Sequence, residues 1–222
     1  MTKIEELIDD NIWNGGWYQN ITLPSGDKTI STTLKFDNSE SRGGKKWDMI
    51  EPYMIKGKTF LDIGCNAGLY LVKANELYKK LYGVDVSEHF LKQCKYVLDE
   101  FKVKAELICS NALEIDFKAL PTIDTTIMVN ALYWVAYSDE EGYIDDYEAK
   151  MKKFINELSK NTKELVLVGA ETIERIGGTI EMTRPFIDKD FEIIESKIVQ
   201  LNDRKLNVIY ARSKDKRFNK KA

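Results

Sequence analysis

The sequence predicts an α/β protein: a mostly parallel sheet of about seven strands, helices on both faces, a C-terminal antiparallel hairpin and an N-terminal cap. Three observations carry this. From residue 59 onward, short apolar runs alternate with amphipathic stretches of helical spacing, and strand–helix alternation builds parallel sheets. The run Phe60-Leu61-Asp62-Ile63-Gly64-Cys65-Asn66-Ala67-Gly68 leads an apolar strand through a glycine turn into an amphipathic segment, the place where α/β proteins hold nucleotides. The last two apolar runs, 191–200 and 205–211, lie close enough for a hairpin.

Taken in order, residues 4–12 have apolar residues at helical spacing, and Trp13-Asn14-Gly15-Gly16-Trp17-Tyr18 breaks the pattern with an aromatic-rich glycine turn. Leu23-Pro24-Ser25-Gly26-Asp27 is a second turn. Residues 19–36 read as extended and irregular, and 39–44 as a polar link. A helix is expected over 47–54, packing through Trp47, Ile50 and Met54. Strands follow at 59–63, 81–84, 105–109, 125–129 and 165–168, with helices at 69–77, 88–101 and 143–158. The helix at 88–101 sets Phe90, Leu91, Cys94, Val97 and Leu98 on one face. The 125–129 run carries no charge, as suits a strand buried on both faces.

The chain has 222 residues, 43% hydrophobic and 31% charged, enough for one substantial core. A single domain over 1–222 is expected: a cap at 1–45, a core at 46–211 and a basic tail at 212–222. The tail, with Lys214, Lys216, Arg217, Lys220 and Lys221, reads as a frayed, solvated end. No apolar run is long enough to span a bilayer. The acidic start, Met1-Thr2-Lys3-Ile4-Glu5-Glu6, lacks a signal-peptide core. A cytoplasmic location is therefore expected, with no membrane partner. Three cysteines, Cys65, Cys94 and Cys109, form no Cys-x-x-Cys pair, so reduced thiols are expected rather than disulfides or a zinc site. His89 is the one histidine, which excludes a His-rich metal site. A net charge of −3 argues against a nucleic-acid partner without excluding one.

A dinucleotide fingerprint wants Gly-x-Gly-x-x-Gly. Here Asn66 and Leu69 stand where its second and third glycines belong, so the loop is not a pyrophosphate cradle. It suits a cofactor without phosphates. Asp85 ends the second strand 21 residues after Gly64, where a carboxylate can accept hydrogen bonds from both ribose hydroxyls. Asp85 and Ser87 are also candidate caps for the next helix, Ser87 the better. After the third strand, Cys109-Ser110-Asn111-Ala112-Leu113 offers a polar group to an adenine amino group, with Leu113 against the ring. After the fourth, Asn130-Ala131-Leu132-Tyr133-Trp134 puts polar and aromatic groups at the crevice; Tyr133 and Trp134 equally suit the core.

The segment Leu61 to Gly68 with Gly83-Val84-Asp85 resembles motif I and the second-strand acidic motif of class I S-adenosylmethionine-dependent methyltransferases. The resemblance covers about residues 45–211 and implies a Rossmann-like fold. It implies S-adenosyl-L-methionine as cofactor, with Gly64 and the Gly68 turn against its methionine part. It implies Asp85 on the ribose and Asn111 with Ala112 at the adenine. Asp62, Cys65, Asn66, Val86, Ser87 and Asn130 complete the expected contacts. A narrower resemblance joins Trp17-Tyr18-Gln19, Leu23-Pro24-x-Gly26, Lys46-Trp47-Asp48 and Leu132-Tyr133 to the tRNA wobble-uridine carboxymethyltransferase and its shorter relatives. It implies that Lys46 and Tyr133 reach the cofactor, with Arg204 a loosely aligned addition. Two departures stand out. Trp134 replaces the family's His, and the long N-terminal extension, which supplies a lysine for a carboxylated cofactor, is missing. Ordinary S-adenosylmethionine is therefore expected.

The expected reaction is O-methylation of a small molecule such as a sugar or nucleotide sugar. The alternatives are tRNA wobble-uridine modification and a non-catalytic S-adenosylmethionine-binding protein. Tyr133 and Glu171 are the candidate catalytic groups. Substrate contacts are expected from Trp17 and Tyr18 of the cap, which also includes Trp13, and from Trp134 and Arg184. Arg184 and Arg42 suit an anionic substrate or surface ion pairs. His89 reads as a helix-surface residue. Asp139, Glu140, Glu141, Asp145 and Asp146 read as an acidic helix start rather than a cation site. No metal is expected, and oligomeric state is left open.

Overall fold

Apolar residues run along the central strands and point in turn to the two faces of the sheet, both of them buried. This computed structural model describes residues 2–9, 16–29, 40–132, 135, 137–138, 142–143, 146–170, 180–201 and 204–219; for 40–43, 137–138, 142–143, 170, 180–182 and 204 it describes the backbone alone. The main sheet comprises β1 (Gly57–Ile63), β2 (Tyr78–Asp85), β3 (Ala105–Cys109), β4 (Ile123–Val129), β7 (Thr162–Ala170), β8 (Phe191–Leu201) and β9 (Arg204–Ser213). Their order is β3-β2-β1-β4-β7-β9-β8. The first five are parallel; β9 is antiparallel to β7 and β8. A two-stranded sheet pairs β5 (Tyr137–Ser138) with β6 (Gly142–Tyr143).

Helices α2 (Glu40–Ile50), α3 (Leu69–Ala74) and α4 (Glu88–Glu100) belong to one face, and α5 (Tyr147–Asn161) and α6 (Ile180–Asp190) to the other. Phe60, Leu81, Ile127, Val166 and Val208 point into the first core, together with Trp17, Ile21 and Leu23 of the N-terminal segment. Leu61, Tyr82, Met128, Leu167 and Ile209 point into the second, with Phe154, Ile155 and Ile187. Two buried faces account for the apolar strands of this parallel sheet.

Several elements differ from the sequence expectation, each for a physical reason. The N-terminal helix, α1, is only Lys3–Glu6. The Ile4 carbonyl accepts from Trp17 Nε1 at 3.0 Å and the Leu7 carbonyl from Gln93 Nε2 at 2.9 Å. Tertiary donors thus take acceptors that a longer helix would use. The helix expected at 47–54 begins at Glu40, inside the expected link, and ends at Ile50. Pro52 lies in the following single turn of 3-10 helix, Glu51–Tyr53; it lacks the N–H that a continuing α-helix needs and disfavours α geometry at the residue before it. Trp47, Ile50 and Met54 are buried as expected. α6 was not anticipated because Pro185 lies inside it; burial of Thr183 and Ile187 holds the helix despite the proline. The tail is more ordered than expected through Asn219. Arg212 and Ser213 belong to β9, and Arg217 reaches Asp215 and the Lys160 carbonyl, each at 2.7 Å.

Candidate functional site at the carboxyl edge of the sheet

From β1 the chain crosses to β2 on one side, and β4 lies on the other, so the carboxyl ends of β1 and β4 flank a topological switch point where α/β sheets bind ligands. The two loops touch there. A Cβ on Gly64 would come within 2.7 Å of the Ala131 Cβ, and Gly64 has φ +80°, so both contact and backbone require glycine. Gly64 and Cys65 N–H donate to the Val84 carbonyl at 2.8 and 3.0 Å, tying the loop to β2. Gly68, at φ +82°, opens α3, and a Cβ there would meet Cys94 Sγ at 2.6 Å. Cys65 and Cys94 are buried free thiols beneath the loop, and Cys109 is exposed. Burial and the neighbouring Cys94 thiol raise the Cys65 pKa, the Cys94 contact contributing most.

Asp85 is nearly buried at the end of β2. Its Oδ2 accepts from Asn66 N–H at 2.9 Å and its Oδ1 from Ser87 N–H at 3.0 Å. Burial raises its pKa, opposed by those donors and Val86 N–H. Each oxygen keeps lone-pair capacity for a further donor. Asn66 sits at φ +48° and braces the turn by accepting from Ala67 N–H at 2.8 Å. Val86 is 71% exposed. Ser87 caps α4 through Phe90 N–H at 3.3 Å, as expected. Asn111 is exposed and accepts from Leu113 N–H at 2.9 Å, opening a single 3-10 turn that sets Ala112 and Leu113 half-buried.

Asp62 is fully buried in β1, and among the described residues neither carboxylate oxygen has a hydrogen-bond partner. Burial, with Asp85 adding repulsion, pushes its pKa well up. Asn130, at φ +57°, anchors its N–H on the Val168 carbonyl at 2.6 Å. Its Oδ1 is likewise buried without a partner among the described residues. Unmet acceptors in a buried place are costly and suit a cationic or donor ligand.

The N-terminal segment closes on the same loop. Gln19 Oε1 accepts from Leu69 N–H at 3.2 Å, doing for α3 what the side-chain-less Gly68 leaves undone. Gln93 Nε2 holds the segment from α4 through the Leu7 and Gly16 carbonyls, at 2.9 and 3.3 Å, and lies 3.0 Å from His89 Nε2. Gln19 and Gln93 were not singled out as site residues. Their partners lie 50 to 86 positions away, beyond any local pattern. Tyr70, also missed, is buried in α3 and stacks on Trp47 at 6.3 Å. Its pKa is raised by burial first, then by Asp62 and Tyr18. Lys46 is buried beside Trp47 in α2.

Trp17 corrects an expectation. It is wholly buried, with its indole N–H spent on Ile4, so it anchors the segment and offers no face to a substrate. Tyr18 is 38% exposed. Arg184 is half-buried on α6 and pairs with Asp188 one turn on, at 3.9 Å. Trp13, Tyr133, Trp134, Glu171, most of the acidic 139–146 run and the side chains of Arg42 and Arg204 lie outside the described residues.

A family described as a methyltransferase domain matches residues 60–153, spanning the glycine loop, Asp85 and α4. The chain has the fold of class I, S-adenosylmethionine-dependent methyltransferases. Solved methyltransferases share its fold. The N-methyltransferase NodS of Bradyrhizobium japonicum, in complex with S-adenosyl-L-homocysteine, superposes with a TM-score of 0.64 at 16% identity, over 84% of this chain and 93% of that one. A SAM-dependent methyltransferase from Aquifex aeolicus gives 0.59 at 20% identity, over 80% and 98%. The chain is also 35% identical over 86 residues to a tRNA U34 carboxymethyltransferase of Helicobacter hepaticus, and 39% identical over 69 residues to one of Campylobacter hominis. These stretches are 31% and 26% of this chain, and span about a quarter of each relative, 27% and 24%. The carboxyl edge of this sheet has features that fit S-adenosylmethionine. It lacks the glycines of a phosphate cradle, has a carboxylate with spare acceptor capacity for hydroxyls, and has unmet acceptors for a cation. No helix among the described residues is long and apolar enough to cross a membrane.

Proposed function

We propose that this chain methylates an oxygen of a small polar molecule such as a sugar or nucleotide sugar, working as one domain whose N-terminal segment closes over the cofactor loop. The observation that carries the reading is that closure. Gln19 is hydrogen-bonded to the first residue of α3 and Trp17 is sealed into the core, which favours a compact acceptor. The net charge of −3 points the same way.

In this reading Asp85 accepts from the ribose hydroxyls, and Asp62 with Asn130 Oδ1 receives the methionine ammonium. Asn111, Ala112 and Leu113 frame the adenine, and the Gly64–Gly68 backbone, Cys65 and Asn66 included, floors the methionine arm. Val86, Ser87, Lys46 and Tyr133 complete the cofactor contacts. S-adenosylmethionine supplies a methyl group on a sulfonium, open to in-line attack. The protein supplies orientation and exclusion of water, and an alcohol acceptor must give up its proton to a base. Tyr133 and Glu171 are proposed for that end of the site, with Tyr18, Trp134 and Arg184 toward the acceptor. A cytoplasmic setting is part of the same proposal.

The test is transfer of labelled methyl groups from S-adenosylmethionine to a panel of sugars and nucleotide sugars, with bulk tRNA alongside. Label in the small molecules supports the proposal; label in tRNA alone overturns it. A second reading, wobble-uridine modification, is favoured by the two tRNA U34 carboxymethyltransferase relatives. It requires salt-sensitive tRNA binding and a changed nucleoside profile when the gene is deleted. An unchanged profile removes it.

A further inference from the structure

Of the two edges of the main sheet, β3 and β8, the longer is β8, an 11-residue strand that among the described residues pairs on one side only, with β9. Long unpaired edges invite pairing with another chain, and this one carries two well-exposed isoleucines, Ile194 at 44% and Ile198 at 57%. The sequence of the strand is Phe191-Glu192-Ile193-Ile194-Glu195-Ser196-Lys197-Ile198-Val199-Gln200-Leu201. It is close to a palindrome about Ser196. Ile194 mirrors Ile198, Glu195 mirrors Lys197, Ile193 mirrors Val199, Glu192 mirrors Gln200, and Phe191 mirrors Leu201.

An antiparallel strand laid against its own copy matches residues in that manner, because a two-fold axis through one residue sets each position opposite its mirror image. We propose that β8 is a homodimer interface, pairing antiparallel with β8 of a second copy about an axis at Ser196. On one face Ile194 and Ile198 then form two apolar cross-strand pairs flanking the Ser196 pair. On the other face Glu195 meets the partner's Lys197 at both ends of the axis. Cross-strand apolar and opposite-charge pairs stabilise a sheet, whereas like charges oppose it. Within one chain Glu195 and Lys197 already pair at 3.3 Å, so the dimer builds an alternating square of four charges. The mirrored position of Glu192 is the neutral Gln200, so no like charges clash. The irregularity between Ile193 and Glu195 leaves Ile194 without a residue opposite on β9.

The result is a continuous sheet of fourteen strands. β8 runs parallel to β7, since both are antiparallel to β9. The partner's sheet therefore points the opposite way, and the two candidate sites open on opposite rims. The interface is independent of what the site methylates.

Sedimentation velocity and disulfide trapping test the proposal. Wild-type protein is expected to sediment with twice the chain mass at micromolar concentrations, and Ile198→Asp as a monomer. Glu195→Lys sets lysines face to face and weakens the dimer, while Glu195→Lys with Lys197→Glu restores the charge match and the dimer. Ser196→Cys, with the exposed Cys109 changed to Ser, places one thiol on the axis. It should form a disulfide dimer under mild oxidation, since opposed residues lie within bridging distance. Cofactor binding by each variant reports that the fold is kept. A wild-type monomer throughout, a dimer that survives Ile198→Asp in folded protein, or no trapping through Ser196→Cys would overturn it.

Discussion

Asp62 and Asp85 are two carboxylates taken out of water at adjacent strand ends, and they are treated differently. Asp85 receives two backbone N–H groups; Asp62 receives no partner among the described residues. Burial raises both pKa values. A carboxyl whose folded pKa is raised contributes stability that is complete below its unfolded value and is lost as pH rises through the folded one. The cofactor-free protein should therefore lose stability as pH rises above 3.8, the ordinary carboxyl value. Asp62→Asn should flatten that loss and stabilise the empty protein, while weakening cofactor binding. Urea midpoints across pH, with and without S-adenosylmethionine, measure both effects. Asp85→Ala should cost about 1–3 kcal/mol of cofactor binding through lost hydrogen bonds to a charged acceptor, as read by calorimetry; unchanged affinity in a folded variant would remove Asp85 from the ribose. Asp85 and the glycines were legible because the strand-turn-helix pattern is local. That Asp62 would be the unpartnered carboxylate was not, because partnering depends on which loops surround it.

At the scale of elements, the cap is fastened by three side chains that reach across the chain. Trp17 closes on α1 and lies 6.3 Å from the Tyr96 ring of α4, Gln19 caps α3, and Gln93 of α4 holds the α1 end. Trp17→Ala should cost about 3–5 kcal/mol of stability, measured by chemical denaturation. Gln19→Ala should cost only about 1 kcal/mol, as cap losses do. It should still lower cofactor affinity, because α3 begins at the glycine loop proposed to floor the cofactor. Equal affinity for wild type and Gln19→Ala would separate the cap from cofactor binding. Strand positions were legible from apolar runs, as at Ala105–Cys109, where prediction and structure coincide. α6 was not, because Pro185 weighs against a helix locally while Ile187 is claimed by the second core. Helix ends at Glu6 and Ile50 were set by hydrogen bonds and a proline that spacing does not weigh.

At the scale of the molecule, the cap and the cofactor-loop face of the sheet share one buried cluster running from Trp17 through Trp47 to Phe60 and Ile127. Unfolding should therefore be one cooperative event. Tryptophan fluorescence, whose four reporters include Trp17 and Trp47, should give the same midpoint as far-ultraviolet circular dichroism; an earlier fluorescence transition would show a cap that melts alone. S-adenosylmethionine at about a hundred times its dissociation constant should add ~2.7 kcal/mol to that stability by mass action. By itself the sequence determined the alternation that makes a parallel sheet, the glycine turn after β1, the carboxylate at the end of β2, and the hairpin that ends the sheet. These are encoded in neighbours along the chain, where periodicity and turn chemistry act. Only the tertiary structure decided that Trp17 is structural, that Gln19 completes α3, that Asp62 and Asn130 are left with unmet acceptors, and that β8 presents its palindrome on a free edge. Each depends on groups far apart in sequence meeting, or failing to meet, once the sheet has closed.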